Sequence, residues 1–214
     1  MDTKHVRDKI VDYTIQQLRC HGIKGIRMDD IAKGIGISKR TLYLLFENKE
    51  ELIGTCLNIF SRNGRRLLSR NPQYEGNGPI SEELHVVNSY ITSIYLLQQN
   101  LLSELESCIL YSTKVRQEKR FWKIQLMLAL EKCRGQFCPI IEDNTELLAI
   151  DILYLFYQNC INGQSYQSQL QIGYVFTRGL VDSDRTESFD MAVQFEWKKL
   201  KAILENSWNG AIIP

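Results

Sequence analysis

The stretch "GISKRTLYLLFENKEEL", residues 36–52, puts two kinds of side chain on the outside of one short helix that a purely supporting helix would not need. Lys39 and Arg40 stand at its start and Leu44 and Leu45 near its end, while Leu42 and Phe46 have the spacing of an inward face. Ser38 is a natural N-cap, because its hydroxyl can accept a hydrogen bond from the first turn, and Ile37 before it is placed to act as a hydrophobic staple. Asn48 then caps a longer helix that begins "KEELIGTCLNIF" and is expected to run to about Arg70.

Working back from this stretch, "RMDDIAKGIG" reads as a helix with Asp29 and Asp30 in its first turn, where they complement the helix dipole. Ile31, Ala32 and Ile35 face inward. Gly34 inside that helix should cost roughly 1 kcal/mol relative to Ala, so the helix needs tertiary support. A first helix carries Ile10, Val11, Thr14, Ile15 and Leu18 on one side and closes at Gly22, a left-handed cap. Three short helices with a tight "GIGIS" connection, in which Gly36 supplies the positive φ of the turn, are what a helix-turn-helix requires. Lys39, Arg40, Tyr43, Leu44 and Leu45 are left facing outward. A helix entering a DNA major groove by its N-terminus uses cations for guanine edges and phosphates, and apolar groups for thymine methyls. Lys39 and Arg40 suit the first task and Leu44 the second. Lys49, at the start of the fourth helix, stands where a helix N-terminus and an ammonium could share one phosphate.

Charge distribution supports a polyanion partner for this head alone. Net charge is only +1, but residues 1–70 hold 14 Lys+Arg against 8 Asp+Glu, and residues 71–214 hold 12 against 17. The six cysteines include no CxxC pair and do not cluster with the three histidines, so no metal site or cofactor is expected. Unpaired cysteines fit a reducing cytoplasm. The N-terminus "MDTKHVRDKIV" has no apolar core of a signal peptide, and no apolar run approaches bilayer length, so a cytoplasmic protein without a membrane partner is expected.

Beyond "NPQYEGNGP" (71–79), the clearest break in the chain, helical spacing continues. Helices are expected from Ser81 and over 100–115, 117–136, 145–163, 166–181 and 185–206. The stretch "LQIGYVFTRGLV" is ambiguous, since Ile172, Tyr174 and Phe176 also alternate as in a strand. The body is rich in aromatics, which fit either an ordinary helical core or an apolar ligand cavity with tyrosine hydroxyls as polar anchors. Helices 145–163 and 166–181 are apolar on more than one face and call for a second packing partner. The tail helix turns Phe189, Val193, Leu200 and Leu204 inward. Arg62, Arg65, Arg66 and Arg70 read as a solvated helix face.

The segment "GIKGIRMDDIAKGIGISKRTLYLLFENKEELI" (22–53) resembles the N-terminal DNA-binding domain of tetracycline-repressor-like (TetR/AcrR) transcriptional regulators, through "DDIA", "GIS", "TLY", the Phe46 position and "NKEEL". The resemblance covers residues 5–60 strongly and the rest only in general pattern, including "GQFCPII" before a late helix. It implies an all-α fold: a helix-turn-helix domain over 1–48, a connecting helix and linker over 49–79, and a helical ligand-binding and dimerisation domain over 80–214. It further implies a homodimer, paired through C-terminal helices, that binds double-stranded DNA at a palindromic operator, usually as a repressor, and releases it when a small-molecule effector enters the body. Carried over by position, Lys39, Arg40, Thr41 and Leu44 lie near bases, and Ser38 counts among the DNA-binding residues. Tyr43, Lys49, Arg27 and Met28, the last two at the start of the second helix, lie near phosphates. Arg27 stands where many relatives have a capping threonine, so the usual hydroxyl cap is missing there and Arg27 is expected to meet phosphate itself. Tyr90, Phe121, Trp122 and Tyr157 are the expected lining of the effector cavity.

Two other classes remain open from the residues. One is a helical small-molecule binder or enzyme with a vestigial DNA-binding head. No catalytic His, Cys or Ser arrangement with a partner supports an enzyme, so none is expected. The other is an adaptor that uses the helical body to hold another protein.

Overall fold

The computed structural model describes residues 3–69, 79–135 and 144–181, together with 184, 186, 187, 189 and 190. The chain is all-α. The order is α1 (Thr3–His21), α2 (Met28–Ile35), α3 (Lys39–Leu45), α4 (Lys49–Ser69), α5 (Pro79–Leu97), α6 (Gln99–Ser107), a 3₁₀ turn (Ile109–Tyr111), α7 (Ser112–Lys132), α8 (Thr145–Ile161) and α9 (Tyr166–Leu180).

The caps read from sequence form as expected. Gly22 at φ 67° donates its N–H to the Leu18 carbonyl at 2.9 Å and closes α1. Gly36 at φ 71° closes α2 and opens the turn into α3. The Ser38 hydroxyl accepts from the Thr41 N–H at 3.0 Å. Asn48 Oδ1 accepts from the Glu51 N–H at 2.8 Å, while the Glu51 carboxylate reaches back to accept from the Glu47 N–H at 2.7 Å. This reciprocal pair satisfies two donors at the start of α4. The side chains of Asn144 and Ser165 cap α8 and α9, accepting from the Leu147 and Ser168 N–H groups.

Two apolar cores result. The head core joins Ile10, Leu18, Ile31, Leu42, Phe46, Leu52 and Ile53, all essentially without exposure, and takes in Leu101, Leu105 and Tyr111 from α6 and the 3₁₀ turn. The body core is built from α5, α7, α8 and α9 around Ile91, Trp122, Leu126 and Phe156. Gly34 has a packing reason to sit inside α2: a Cβ there would collide with the phenol end of Tyr13. The loss of helix propensity thus permits close approach of α1 and α2.

Two expectations change in detail, and one ambiguity resolves as the expected helix. The helix expected over 100–115 is broken: Cys108 is extended (φ −96°, ψ 108°), and the chain re-enters a helix at Ser112. The break re-aims the chain so that Tyr111 is buried against the head while Ile109 and Leu110 are exposed. α5 begins at Pro79, two residues before Ser81, because proline lacks only an N–H that a first helical position leaves unpaired. The strand-like alternation over 172–176 is helical. Tyr166, Leu170, Gly173, Thr177 and Leu180 are buried at helical spacing, and Ile172, Tyr174 and Phe176 flank that stripe. The break at 71–78 and most of the expected tail helix, with Val193, Leu200 and Leu204, lie outside the described residues. Phe189 is buried, as its inward assignment required.

Candidate nucleic-acid interface and buried cavity

α3 has two faces. Leu42 and Phe46 are fully buried, whereas Tyr43 is 49 % and Leu44 77 % exposed. Lys39 and Arg40 are exposed, Thr41 and Leu45 half-buried. Leu44 at that exposure loses apolar surface to water with no packing return from its own chain, and it stands one helical turn from Arg40. Arg40 has no hydrogen bond or ion pair among the described residues. Lys39 is held: its ammonium donates to Asp29 Oδ2 at 2.6 Å, which raises its pKa above the ordinary lysine value. Both partners of this pair are solvated, so a phosphate can draw Lys39 away. The pair ties α3 to the first turn of α2.

The start of α2 offers backbone rather than side-chain chemistry. Arg27 occupies the N-cap position with extended backbone (φ −125°, ψ 137°) and makes no side-chain cap. A helix start without a capping side chain keeps free N–H donors that an anion can take. Arg27 itself is exposed beside them. Met28 turns its side chain into the head core, so only its backbone faces that end. Lys49 is half-buried and donates to the Ile26 carbonyl at 2.7 Å, bracing the loop that leads into α2.

In the body a cavity of about 90 Å³ lies among α4, α5, α6, α7 and α8. Tyr90, Trp122 and Tyr157 line it, as the sequence reading expects; Phe121 does not. Phe121 packs edge-on to Trp122, ring centres 5.5 Å apart, beneath the Arg65 guanidinium at 4.4 Å. The Tyr90 hydroxyl donates to the Leu153 carbonyl at 3.2 Å, and burial pushes its pKa far up. Tyr157 is likewise raised, by burial first and then by Glu106. Both phenols are therefore neutral hydrogen-bonding groups. Lys119 sits 4.6 Å over the Tyr157 ring and pairs with Glu106 at 2.6 Å.

Residues that sequence reading did not single out join the two regions. Leu102 and Leu105 of α6 line the cavity, and Leu105 also belongs to the head core. Glu104, on the same helix, accepts hydrogen bonds from the Ile23 N–H and, at 3.0 Å, from the Lys24 N–H in the α1–α2 loop. No local signal could have revealed Glu104, whose partners lie some 80 positions away. On α8 the exposed Leu147, Ile150 and Tyr154 recur at helical spacing, and Val175 is exposed on α9. Among the described residues no group of His, Cys, Asp or Glu could hold a metal ion, and no helix is long and apolar enough to cross a membrane.

Comparison with known proteins matches these features. Residues 10–56 match the family model described as bacterial regulatory proteins, tetR family. A 59-residue stretch is 37 % identical to the biofilm operon icaADBC HTH-type negative transcriptional regulator IcaR of Staphylococcus epidermidis, covering 26 % of this chain and 32 % of that relative. The chain thus spans about a third of the length of that curated relative. Among solved structures, the TetR-family protein CprB of Streptomyces coelicolor, in complex with its biological operator sequence, superposes with a TM-score of 0.70 at 17 % identity, covering 92 % of this chain and 100 % of the other. A transcriptional regulator from Saccharomonospora viridis in complex with choline superposes with a TM-score of 0.71 at 14 % identity, covering 84 % and 99 %. At such identities the superpositions speak for the fold.

Proposed function

We infer, from a head whose residues 10–56 match the model of the tetR family of bacterial regulatory proteins, that this chain is a homodimeric, DNA-binding transcriptional regulator, a repressor released from a palindromic operator by a small-molecule effector. One observation carries the reading: α3 exposes Arg40, Tyr43 and Leu44 together on the face opposite buried Leu42 and Phe46. That face has the cation and the apolar groups that base edges demand. Ser38, Thr41 and Lys39 sit at the leading end of the helix. Arg27, the open amides of α2 with Met28 as its first residue, and Lys49 serve the flanking phosphates.

The exposed apolar stripe of Leu147, Ile150 and Tyr154 with Val175 supports pairing of two copies through α8 and α9. Two recognition helices then address successive major grooves, about 34–36 Å apart. For the effector response, the wall of the cavity is the relevant element. α6 touches the cavity through Leu102 and Leu105 and the head through Leu101, Leu105 and Glu104. A ligand that prefers a displaced α6 shifts the population toward a head arrangement with poorer groove spacing, and by linkage DNA opposes that ligand. At about 90 Å³ the cavity is smaller than most drug-sized sites, so ligand entry and displacement of its walls go together.

Selection of bound sequences from a random duplex pool tests this reading. The expected product is an inverted repeat with half-sites one helical turn apart or a multiple of it. Failure to enrich any sequence, or enrichment of a single half-site without dyad symmetry, refutes it.

A further inference from the structure

Beside the apolar cavity lies a second, open cleft lined by Asn58, Ser61, Arg62, Arg65, Arg66, Ser69, Lys114, Gln117 and Glu118. Three residues, Ser61, Lys114 and Glu118, line both spaces, so the cleft adjoins the cavity, in the position of a vestibule. The two differ in chemistry. The cavity is walled by Leu57, Phe60, Ile94, Leu102, Tyr90 and Trp122 among others, whereas the vestibule sets four cations against one carboxylate. Arg65 is paired with Glu118 at 3.1 Å. Lys114 donates to the neutral Asn58 Oδ1 at 2.6 Å. Arg62 and Arg66, one turn apart on α4, are exposed and have no ion pair among the described residues. Three positive charges are thus left without an ion-pair partner among the described residues, beside an apolar pocket.

From this juxtaposition we propose that the effector is an amphipathic anion, with an alkyl or acyl body in the cavity and a carboxylate or phosphate head held by Arg62, Arg66 and Lys114. The proposal rests on reading the cavity as the effector site and adds the chemical class of its ligand. Guanidinium groups bind carboxylate and phosphate oxygens in pairs, and a head bound at the mouth leaves the tail to be desolvated against Trp122 and Tyr90. Lys119, already paired with Glu106 and seated over Tyr157, stays part of the wall.

Isothermal titration calorimetry on the full chain tests this with octanoate, octyl phosphate, octanol and inorganic phosphate. The comparison protein is the double variant Arg62→Gln/Arg66→Gln, whose sites are exposed and whose fold is verified by its melting curve. The expected result is that octanoate or octyl phosphate binds, more weakly as salt rises, and loses about tenfold or more in the variant. Whichever binds more tightly identifies the head group. Octanol should bind less well and ignore the variant. If octanol matches octanoate and the variant changes nothing, the anion assignment is overturned while the cavity remains an effector site. If inorganic phosphate binds as well as octyl phosphate, the site takes bare anions and the amphipathic ligand is overturned. If no probe binds, or if the variant loses selected-DNA affinity by as large a factor as octanoate affinity, the cations serve another purpose and the proposal falls.

Discussion

Glu104→Ala should loosen the joint between α6 and the head by an amount the structure allows to be estimated. The carboxylate accepts from two backbone amides, those of Ile23 and Lys24. A hydrogen bond to a charged group contributes about 1.5–3 kcal/mol net. Lys24 is exposed and water can replace its bond, whereas Ile23 is buried and its amide would be left without an acceptor. The expected loss is therefore that of one bond, about 1.5–3 kcal/mol, not of two. For a chain of this size that corresponds to a fall in Tm of roughly 3–12 °C. Gly22 provides an internal control. A Cβ there would lie 2.8–2.9 Å from the Glu104 carboxyl group, and its φ of +67° strains any L side chain. Gly22→Ala alone should therefore combine backbone strain with displacement of the carboxylate. Introduced after Glu104→Ala it should retain only the strain, so the two substitutions are non-additive by roughly 1 kcal/mol or more. Thermal melts of wild type, both single variants and the double variant measure this. Effector-induced release of DNA should also weaken in Glu104→Ala, because α6 then moves without pulling the α1–α2 loop. Melting within a degree of wild type, or strict additivity with Gly22→Ala, would refute the coupling reasoning.

Other substitutions separate the roles. Arg40→Ala should cost about 1–3 kcal/mol on the selected sequence and little on random duplex, measured by fluorescence anisotropy; equal loss on both removes its base-reading role. Leu44→Ala should leave the stability within about 0.5 kcal/mol of wild type, because the side chain is solvated, while lowering operator affinity. Tyr154→Glu should shift sedimentation toward monomer if the α8 stripe forms the subunit contact; an unchanged dimer places that contact elsewhere. Glu83 is fully buried, without a hydrogen-bond partner for either oxygen among the described residues, and burial raises its pKa to about 8. An acid raised in the folded state binds more protons there than when unfolded, so its effect is to lower stability as pH climbs from about 4.5 toward about 8. Glu83→Gln should flatten that slope in denaturant melts across the same range, and an unaltered slope would assign it to other groups.

Much of the head could be read directly because its determinants are local. Gly22, Gly36, Ser38 and Asn48 act through bonds to residues within four positions, and the inward Leu42 and Phe46 obey helical spacing. The outward face of α3 follows once those two are placed. What could not be read depends on contacts distant in sequence. The acidic anchor Glu104, the break at Cys108 that lets Tyr111 join the head, and the brace from Lys49 to Ile26 require knowing which elements meet. Phe121 illustrates the limit within the body. It neighbours Trp122 in sequence, yet a helix turns successive residues about 100° apart, so one lines the cavity and the other lies under Arg65. The arginines of α4 read as a plain solvated face because nothing local reveals that α7 stands opposite them with Lys114 and Glu118.

The lodging of Leu101, Leu105 and Tyr111 among the side chains of α1–α4 bears on how the protein could be dissected. A fragment ending after α4 would lay bare the apolar head surface that Leu101, Leu105 and Tyr111 cover, and would be expected to melt low or aggregate. Grafting this head onto a foreign body would accordingly require carrying α6 and the turn after it, or replacing their apolar cover by design. The same sharing is expected to make head and body unfold as one cooperative unit, so a compound that fills the cavity should raise the melting point of the whole chain.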